Sequence, residues 1–498
     1  MAQIPASAAA PPRPHRPFRV PAVVLGALAV GLAFGSTGCG QPAPPSPRQP
    51  DAATVAAAIT EDVLRADLQV LGGLTTSSEG HRSVGSDAYD AAAAMIEGEL
   101  EAAGWTLASD AYDDVAFVDE GGSFLEVGGR TFAAADLKAL VFAPAGEVEG
   151  PVIALDWQLD APVDSAKGCA VTHYSILPAN SIVVVSQGPC LRREQVLAAQ
   201  RAGAAAFVAV YPGIPSGLVY RPTLIEPTSM EIPAAGVSRD AAAALLEAAS
   251  TRETAHLVTR VRTRQVPTRS VIAELPGTEP GAVIMLGAHL DSALEGPGIN
   301  DDGSGVAALL AIARALGGTR PRATIRLAFW SGEELGLHGS YRYATALSPE
   351  DARAILVYAN VDMIASPNGF AGVYDEPGAP VGSAAARDLL TSAVARAGGT
   401  PFGVDISGGS DHYGFAESGV ATAGVFSGAG EPVTAAQAAA SAEQSTGSGA
   451  VAGRPADDCY HQLCDDLENA NLPLARVLAA GLADFTVRVA NNPELLAH

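Results

Sequence analysis

Apolar residues recur at intervals of three and four in two stretches near the front of the chain. Ile59, Val63, Leu64 and Leu68 make one set, and Ala93, Ile96, Leu100 and Ala103, closed by Gly104, make the other; each predicts an amphipathic helix. Over residues 140–261 the texture changes to short β-rich runs at 181–185 and 206–211, with helix-like stretches at 195–202 and 241–249, which predicts a separate small α/β module. Beyond Pro267 the runs 282–286, 324–329, 355–360 and 422–426 are short, apolar throughout and alternate with Ala/Leu-rich helical segments. A strand with no polar face needs cover on both sides, so residues 55–139 and 262–498 predict a discontinuous α/β domain, a mostly parallel sheet flanked by helices, interrupted by the 140–261 insert. Residues 433–456, rich in Ala, Ser and Gly, predict a surface loop.

The first 54 residues follow neither pattern. Arg13, Arg16 and Arg19 precede an apolar run of about 15 residues, short of the roughly 20 needed to span a bilayer, and small residues lead to Cys39. Residues 1–38 are thus expected to be an export signal of bacterial lipoprotein type, with Cys39 as the lipid acceptor and residues 39–54, rich in Pro, as a tether. Ser36 stands where such signals carry leucine, which leaves ordinary secretory cleavage as the alternative. In either case the protein is expected to be exported to the cell envelope or beyond, touching a membrane only through its lipid. Besides Cys39 there are four cysteines, and an even count in an exported chain reads as disulfides, here Cys169 with Cys190 and Cys459 with Cys464. The formal charge of −24 would repel a polyphosphate backbone, so nucleic acid is not an expected partner.

Candidate chemistry gathers where apolar strands stop. His289 and Asp291 follow one strand, Glu333 and Glu334 a second, Asp362 a third, and Asp301 with Asp302 opens a helix. In open α/β sheets the carboxyl ends of the strands form the ligand crevice, so these distant segments are expected to converge. His, Asp and Glu without cysteine suit zinc or a similar divalent ion, and a surplus of ligands over one structural site fits two ions bridged by a carboxylate. Any one of these acids alone would be read as a helix cap; the set is not.

The segments His289-Leu290-Asp291-Ser292, Asn300-Asp301-Asp302-Gly303-Ser304-Gly305, Gly332-Glu333-Glu334-Leu335-Gly336-Leu337, Asn360-Val361-Asp362-Met363, Ser410-Asp411-His412 and Cys459-Tyr460-His461-Gln462-Leu463-Cys464-Asp465 resemble, in order and spacing, the M28 family of dizinc aminopeptidases. The 140–261 module, with Gly168-Cys169, Gly188-Pro189-Cys190 and Ala202-Gly203-Ala204, resembles a protease-associated (PA) domain. The resemblance implies two Zn²⁺ per chain, with Asp301 bridging, His289 and Asp362 on one ion, and Glu334 and His461 on the other. It further implies Glu333 as general base, Tyr460 as the phenol that stabilises the oxyanion, a cis peptide after Asp301, and peptides with a free amino terminus as substrates. Asp291, two residues beyond His289, is expected to accept that imidazole's second N–H through its carboxylate.

Relatives within this fold act as carboxypeptidases or glutaminyl cyclases, and the ligand set does not separate these from an aminopeptidase. A non-catalytic PA-bearing binding protein is the alternative of another class. Gly303-Ser304-Gly305 with Ala308 fits a dinucleotide pattern, but Asp301 and Asp302 beside it would repel a pyrophosphate. His338 reads as a surface or helix-cap histidine, His412 as either pocket lining or structural support, and Trp105 and Trp330 as core residues.

Overall fold

The computed structural model describes residues 48–155, 167–175, 177–211, 217–279, 281–442 and 449–496. The signal segment, Cys39 and most of the tether lie outside the described residues. No helix among those described is long and apolar enough to cross a membrane.

Two sheets organise the chain. In the larger, Thr324–Trp330, Val283–His289, Ile355–Val361 and Thr422–Phe426 lie side by side as a parallel core. Antiparallel strands extend it at both edges, Val261–Leu275 on one side and Gly372–Tyr374 on the other. The Val283–His289 strand is buried along its whole length, as its uniform apolarity requires. Ile284, Leu286 and Ala288 pack into one layer with the helices Ser304–Leu316 and Leu472–Asn491, whereas Val283 and Met285 face the opposite layer with Ala344 and Phe415. That alternation is the period-two pleat read by helices on both faces. The amphipathic sets near the front form Glu61–Thr76 and Asp87–Ala102, capped by Thr60 and Ser86, and they join the first of these layers. The fold class is therefore as the apolar strands predict.

The second sheet has a parallel centre, Gly146–Ala154, Ile182–Ser186, Ala206–Val210 and Ala234–Val237. It starts earlier in the sequence than 140. Phe124–Val127 and Arg130–Ala133 form a hairpin over Gly128 and Gly129, and Phe124–Val127 pairs on its other side with Thr254–Thr259. These strands are half exposed and mixed in composition, so no apolar run marked them. The predicted surface loop at 433–456 is also corrected in part: it holds the helix Ala435–Ala442, whose Ala-rich composition favours helix as readily as it suggests low complexity.

Sequence order changes direction at Val283–His289, because Thr324–Trp330 adds on one side of it and Ile355–Val361 on the other. Such a switch point opens a crevice at the strands' carboxyl ends.

Candidate metal centre

Five elements deliver side chains to this crevice: the ends of three central strands, the Ile299–Gly303 segment that leads into the Ser304–Leu316 helix, and the loop closed by the Cys459–Cys464 disulfide. Asp301 sits between two imidazoles, with Oδ1 at 3.0 Å from His289 Nε2 and Oδ2 at 3.1 Å from His461 Nε2. Asp362 Oδ1 lies 3.6 Å from the same His289 nitrogen, and Glu334 Oε2 lies 3.2 Å from His461 Nε2. His289, Asp301, Glu334, Asp362 and His461 are thus brought together from positions up to 172 residues apart. Asp302 also comes within 4.8 Å of His289 and Asp362. Its two oxygens, however, accept the backbone N–H groups of His289, Gly305 and Met363, which makes it a brace for the crossing segments. Gly305 permits that approach, since a Cβ there would stand 2.5 Å from the Asp302 carboxylate and 2.6 Å from the Val361 carbonyl. The Asp301–Asp302 peptide is cis.

The donors suit divalent cations. Among the described residues, the ion partners of Asp301, Glu334 and Asp362 are the two histidines, and Glu334 Oε1 is buried without a hydrogen-bond partner. Although burial opposes it, Glu333, Asp301 and Asp362 draw a proton onto His289, and Glu334 with Asp301 does the same to His461. Burial, together with Glu334, Asp362 and Asp411, holds the Glu333 carboxyl well above the ordinary carboxylate range, with His289 opposing. Negative charge in excess of its compensation, presented by oxygen and imidazole nitrogen, is what zinc or a similar ion would neutralise.

The surrounding shell differs from expectation at Asp291. His289 Nδ1 lies 3.0 Å from the Asp291 backbone carbonyl, and the Asp291 carboxylate is 3.8 Å away. That carboxylate instead accepts the N–H groups of Gly332, Glu333 and Glu334, three donors in succession on one turn. Asp291 therefore orders the turn that carries both glutamates, and a carbonyl fixes the histidine tautomer.

Several contributors had no role assigned from the sequence. Asp465 accepts N–H from Asn300 and from Asp301, which fixes the backbone at Asp301. A hydrogen-bonded chain runs from Trp330 Nε1 to the Tyr358 hydroxyl, on to Asn360 Oδ1, from Asn360 Nδ2 to Ser410 Oγ, and from that hydroxyl to Asp362 Oδ2 at 2.6 Å. Trp330 is core, as expected, and also the start of this chain; Trp105 is core and donates to the Ala313 carbonyl. Arg82, wholly buried, donates to the Leu290, Pro297 and Gly298 carbonyls on the loop between His289 and Asp301. His412 is buried and bonded to Glu376, so of its two readings the structural one holds. Asp411, buried beside it, is pushed up to about 7 by burial, against the pull of His289. His338, its side chain 20% exposed, begins a helix as the helix-end reading expects, and both its ring nitrogens are engaged.

Tyr460 stacks on His461 at 3.9 Å between ring centroids, and burial, then the carboxylates of Asp301 and Glu334, push its phenol well above the ordinary range, keeping it a donor. The disulfide Cys459–Cys464 closes a loop around them at a sequence separation of 5, and Cys169–Cys190 joins two loops of the second sheet. The crevice opens into a cleft of about 550 Å³. Asp301, Glu333, Asp362, Asp405 and Glu431 line it with the apolar Phe370, Val404, Ile406 and Phe426, and no lysine or arginine is among its described lining residues.

Residues 270–486 match peptidase family M28, and residues 148–245 match the PA domain. A Mycobacterium tuberculosis protein named "Probable lipoprotein aminopeptidase LpqL" is 33% identical over 485 residues, covering 93% of each chain. A Pseudomonas aeruginosa aminopeptidase is 32% identical over 431 residues, covering 84% of this chain and 79% of its own. Among solved structures, an aminopeptidase from Aneurinibacillus sp. strain AM-1 superposes with a TM-score of 0.68 at 20% identity, over 88% of this chain and 96% of that one. BSAP, a zinc aminopeptidase from Bacillus subtilis, gives 0.64 at 19% identity over the same shares, and at these identities the likeness concerns the fold.

Proposed function

The chain belongs to peptidase family M28, and from that membership we propose that it is an exported, lipid-anchored metallo-aminopeptidase. The observation that carries the choice of end is the cleft itself. Beyond Asp301 and Asp362, which the metal would take up, Glu333, Asp405 and Glu431 line it and no described lysine or arginine does, a surface that favours the ammonium of a peptide's amino terminus over a terminal carboxylate. The curated relatives named aminopeptidase support the same reading.

His289 and Asp362 would hold one zinc ion, Glu334 and His461 a second, and Asp301 would serve both; the ions would supply Lewis acidity toward water and the scissile carbonyl. Glu333, beside them on the ordered turn, takes the proton of the attacking water and returns it to the leaving amine. Tyr460, protonated and half-buried next to His461, donates to the oxyanion as it develops. Asp291 keeps the Glu333–Glu334 turn in register by taking its three N–H groups. The lipoprotein named among the relatives, with the Arg-rich, apolar and small-residue order before Cys39, supports export and acylation at Cys39.

The test compares Glu333→Gln and Glu334→Gln on matched peptides with free and acetylated amino termini. Glu333→Gln should keep its metal and lose about 10²- to 10⁴-fold in turnover. Glu334→Gln should lose bound metal and activity together. Equal cleavage of the acetylated peptide, or near-normal turnover in Glu333→Gln, overturns the proposal.

A further inference from the structure

The turn bearing Glu333 and Glu334 is gripped from two sides. On the strand side the Asp291 carboxylate takes its N–H groups. On the other side lies the inserted module. Thr223 Oγ1 donates to the Leu335 carbonyl at 2.8 Å, and a Cβ on Gly336 would stand 3.1 Å from Ile225 Cα. His338 closes the turn, its backbone N–H donating to the Gly332 carbonyl at 2.9 Å.

The His338 ring has a partner at each nitrogen. Nδ1 is 2.8 Å from Asp114 Oδ1, on the Asp110–Asp119 strand, and Nε2 is 2.7 Å from the Ile225 carbonyl, in the PA domain. The ring stacks on Phe142, which follows the Leu137–Ala139 edge strand of the second sheet, at 5.9 Å and 6°. A carbonyl oxygen can only accept, and Asp114 Oδ1 already accepts the Val115 N–H. A neutral imidazole carries one N–H and could satisfy only one of the two acceptors. Asp114 is buried, and its other oxygen has no hydrogen-bond partner, so a neutral ring would leave that buried charge unbalanced.

We propose that His338 is a positioning residue: as an imidazolium it fastens the Glu333–Glu334 turn to the PA domain and to Asp114, so that the insert is part of the scaffold that aims the general base. Asp114 and, further off, Asp291 are the charged groups that face the ring; Phe142 and Ile225 meet it with uncharged surfaces. Burial works against the charge, and Asp114 outweighs it, holding the ring above the ordinary histidine range. Loss of the second proton, or of the ring, would free one anchor of the turn, and displacements of about 1 Å at a reacting group cost up to 10²-fold in rate.

The kinetic part of this inference rests on the aminopeptidase reading; the protonation part does not. The experiment uses metal-loaded enzyme labelled with ¹⁵N-histidine, the His338 signals being assigned by their loss in His338→Phe or in His338→Gln. The expected spectrum at pH 7 has protons on both ring nitrogens. His338→Phe, which keeps a ring against Phe142, should bind as much metal as wild type and have a kcat lower by about 10- to 100-fold, with KM for a free-amine peptide changed less than about twofold. Asp114→Asn should fall in the same direction, and the double variant should be no worse than the more impaired single one. A neutral ring at pH 7, or an unchanged kcat in a folded, metal-replete His338→Phe, overturns the proposal. If wild type cleaves neither free nor acetylated peptides, the aminopeptidase reading fails on its own, and the spectrum still decides the protonation state.

Discussion

Arg82 offers the sharpest test of how the proposed metal ligands are held. Replacing it with Met keeps an unbranched, buried side chain and removes donors from three carbonyls, those of Leu290, Pro297 and Gly298, that have little access to water. A buried acceptor left without its partner costs roughly 1–3 kcal/mol, so three carry a loss of about 4 kcal/mol after the chain relaxes. The same change removes the positive charge that faces Asp465, Asp302, Asp291 and Asp301 from behind the site. Those carbonyls belong to the loop between His289 and Asp301, so the loss should appear first as slack between two ligands. Urea unfolding of Arg82→Met should show a midpoint lower by about 1–2 M, at a slope of roughly 2–3 kcal/mol/M, and dialysed protein should retain less metal than wild type. Arg82→Lys should recover less than half of the difference, because an ammonium cannot reproduce the planar fork that reaches separate carbonyls. Arg82→Met that unfolds within 1 kcal/mol of wild type and holds the same metal would refute the argument and leave the loop anchored by its other contacts.

Two further outcomes follow from the same geometry. Asp465→Asn turns an amide N–H₂ toward either the Asn300 or the Asp301 N–H, both of which now meet carboxylate oxygens; metal affinity measured by competition with a chelator should fall about 10- to 100-fold, and an unchanged affinity would remove Asp465 from the supporting shell. Cys39→Ser should release the exported protein from the membrane fraction into the soluble one, and equal membrane retention would rule out acylation at Cys39.

The site was legible where chemistry follows directly on an apolar strand. His289, Glu334 and Asp362 each stand at or within a few residues of the carboxyl end of a strand buried along most of its length, a position where a charged residue is out of place unless it serves the crevice. Arg82, Ser410 and Asp465 lacked such a signal. Arg82 and Asp465 bond backbone groups of remote segments, and Ser410 bonds the Asp362 carboxylate and the Asn360 amide; nothing in local composition registers partners that only the tertiary fold brings together. Asp291 was read through its distance in sequence from His289. The fold assigns its carboxylate to three N–H groups on another strand's exit, and no spacing rule reports donors that only tertiary structure brings there. The start of the second sheet was missed for a different reason: its outer hairpin is half solvated, and a half-solvated strand of four residues carries too few apolar positions to show a period.

The two grips on the Glu333–Glu334 turn are unequal in kind, and that difference sets what each can tolerate. Asp291 holds with one carboxylate inside the peptidase sheet, buried and fixed by the strand that also carries His289. His338 holds across the boundary between the sheets, where Arg221 of the PA domain also pairs with Glu295, on the loop between His289 and Asp301, and with Asp119. The Arg221 and Glu295 side chains are only 8% exposed, so a shift of the insert would leave buried charges uncompensated as well as breaking the His338 bond. Independent swinging of the PA domain is opposed by both costs at once. A boundary built on buried charge and on a ring with no spare nitrogen does not behave like an exposed linker. Substitutions at Arg221 or Glu295 should therefore reach the Glu333–Glu334 turn across the same boundary that His338 holds.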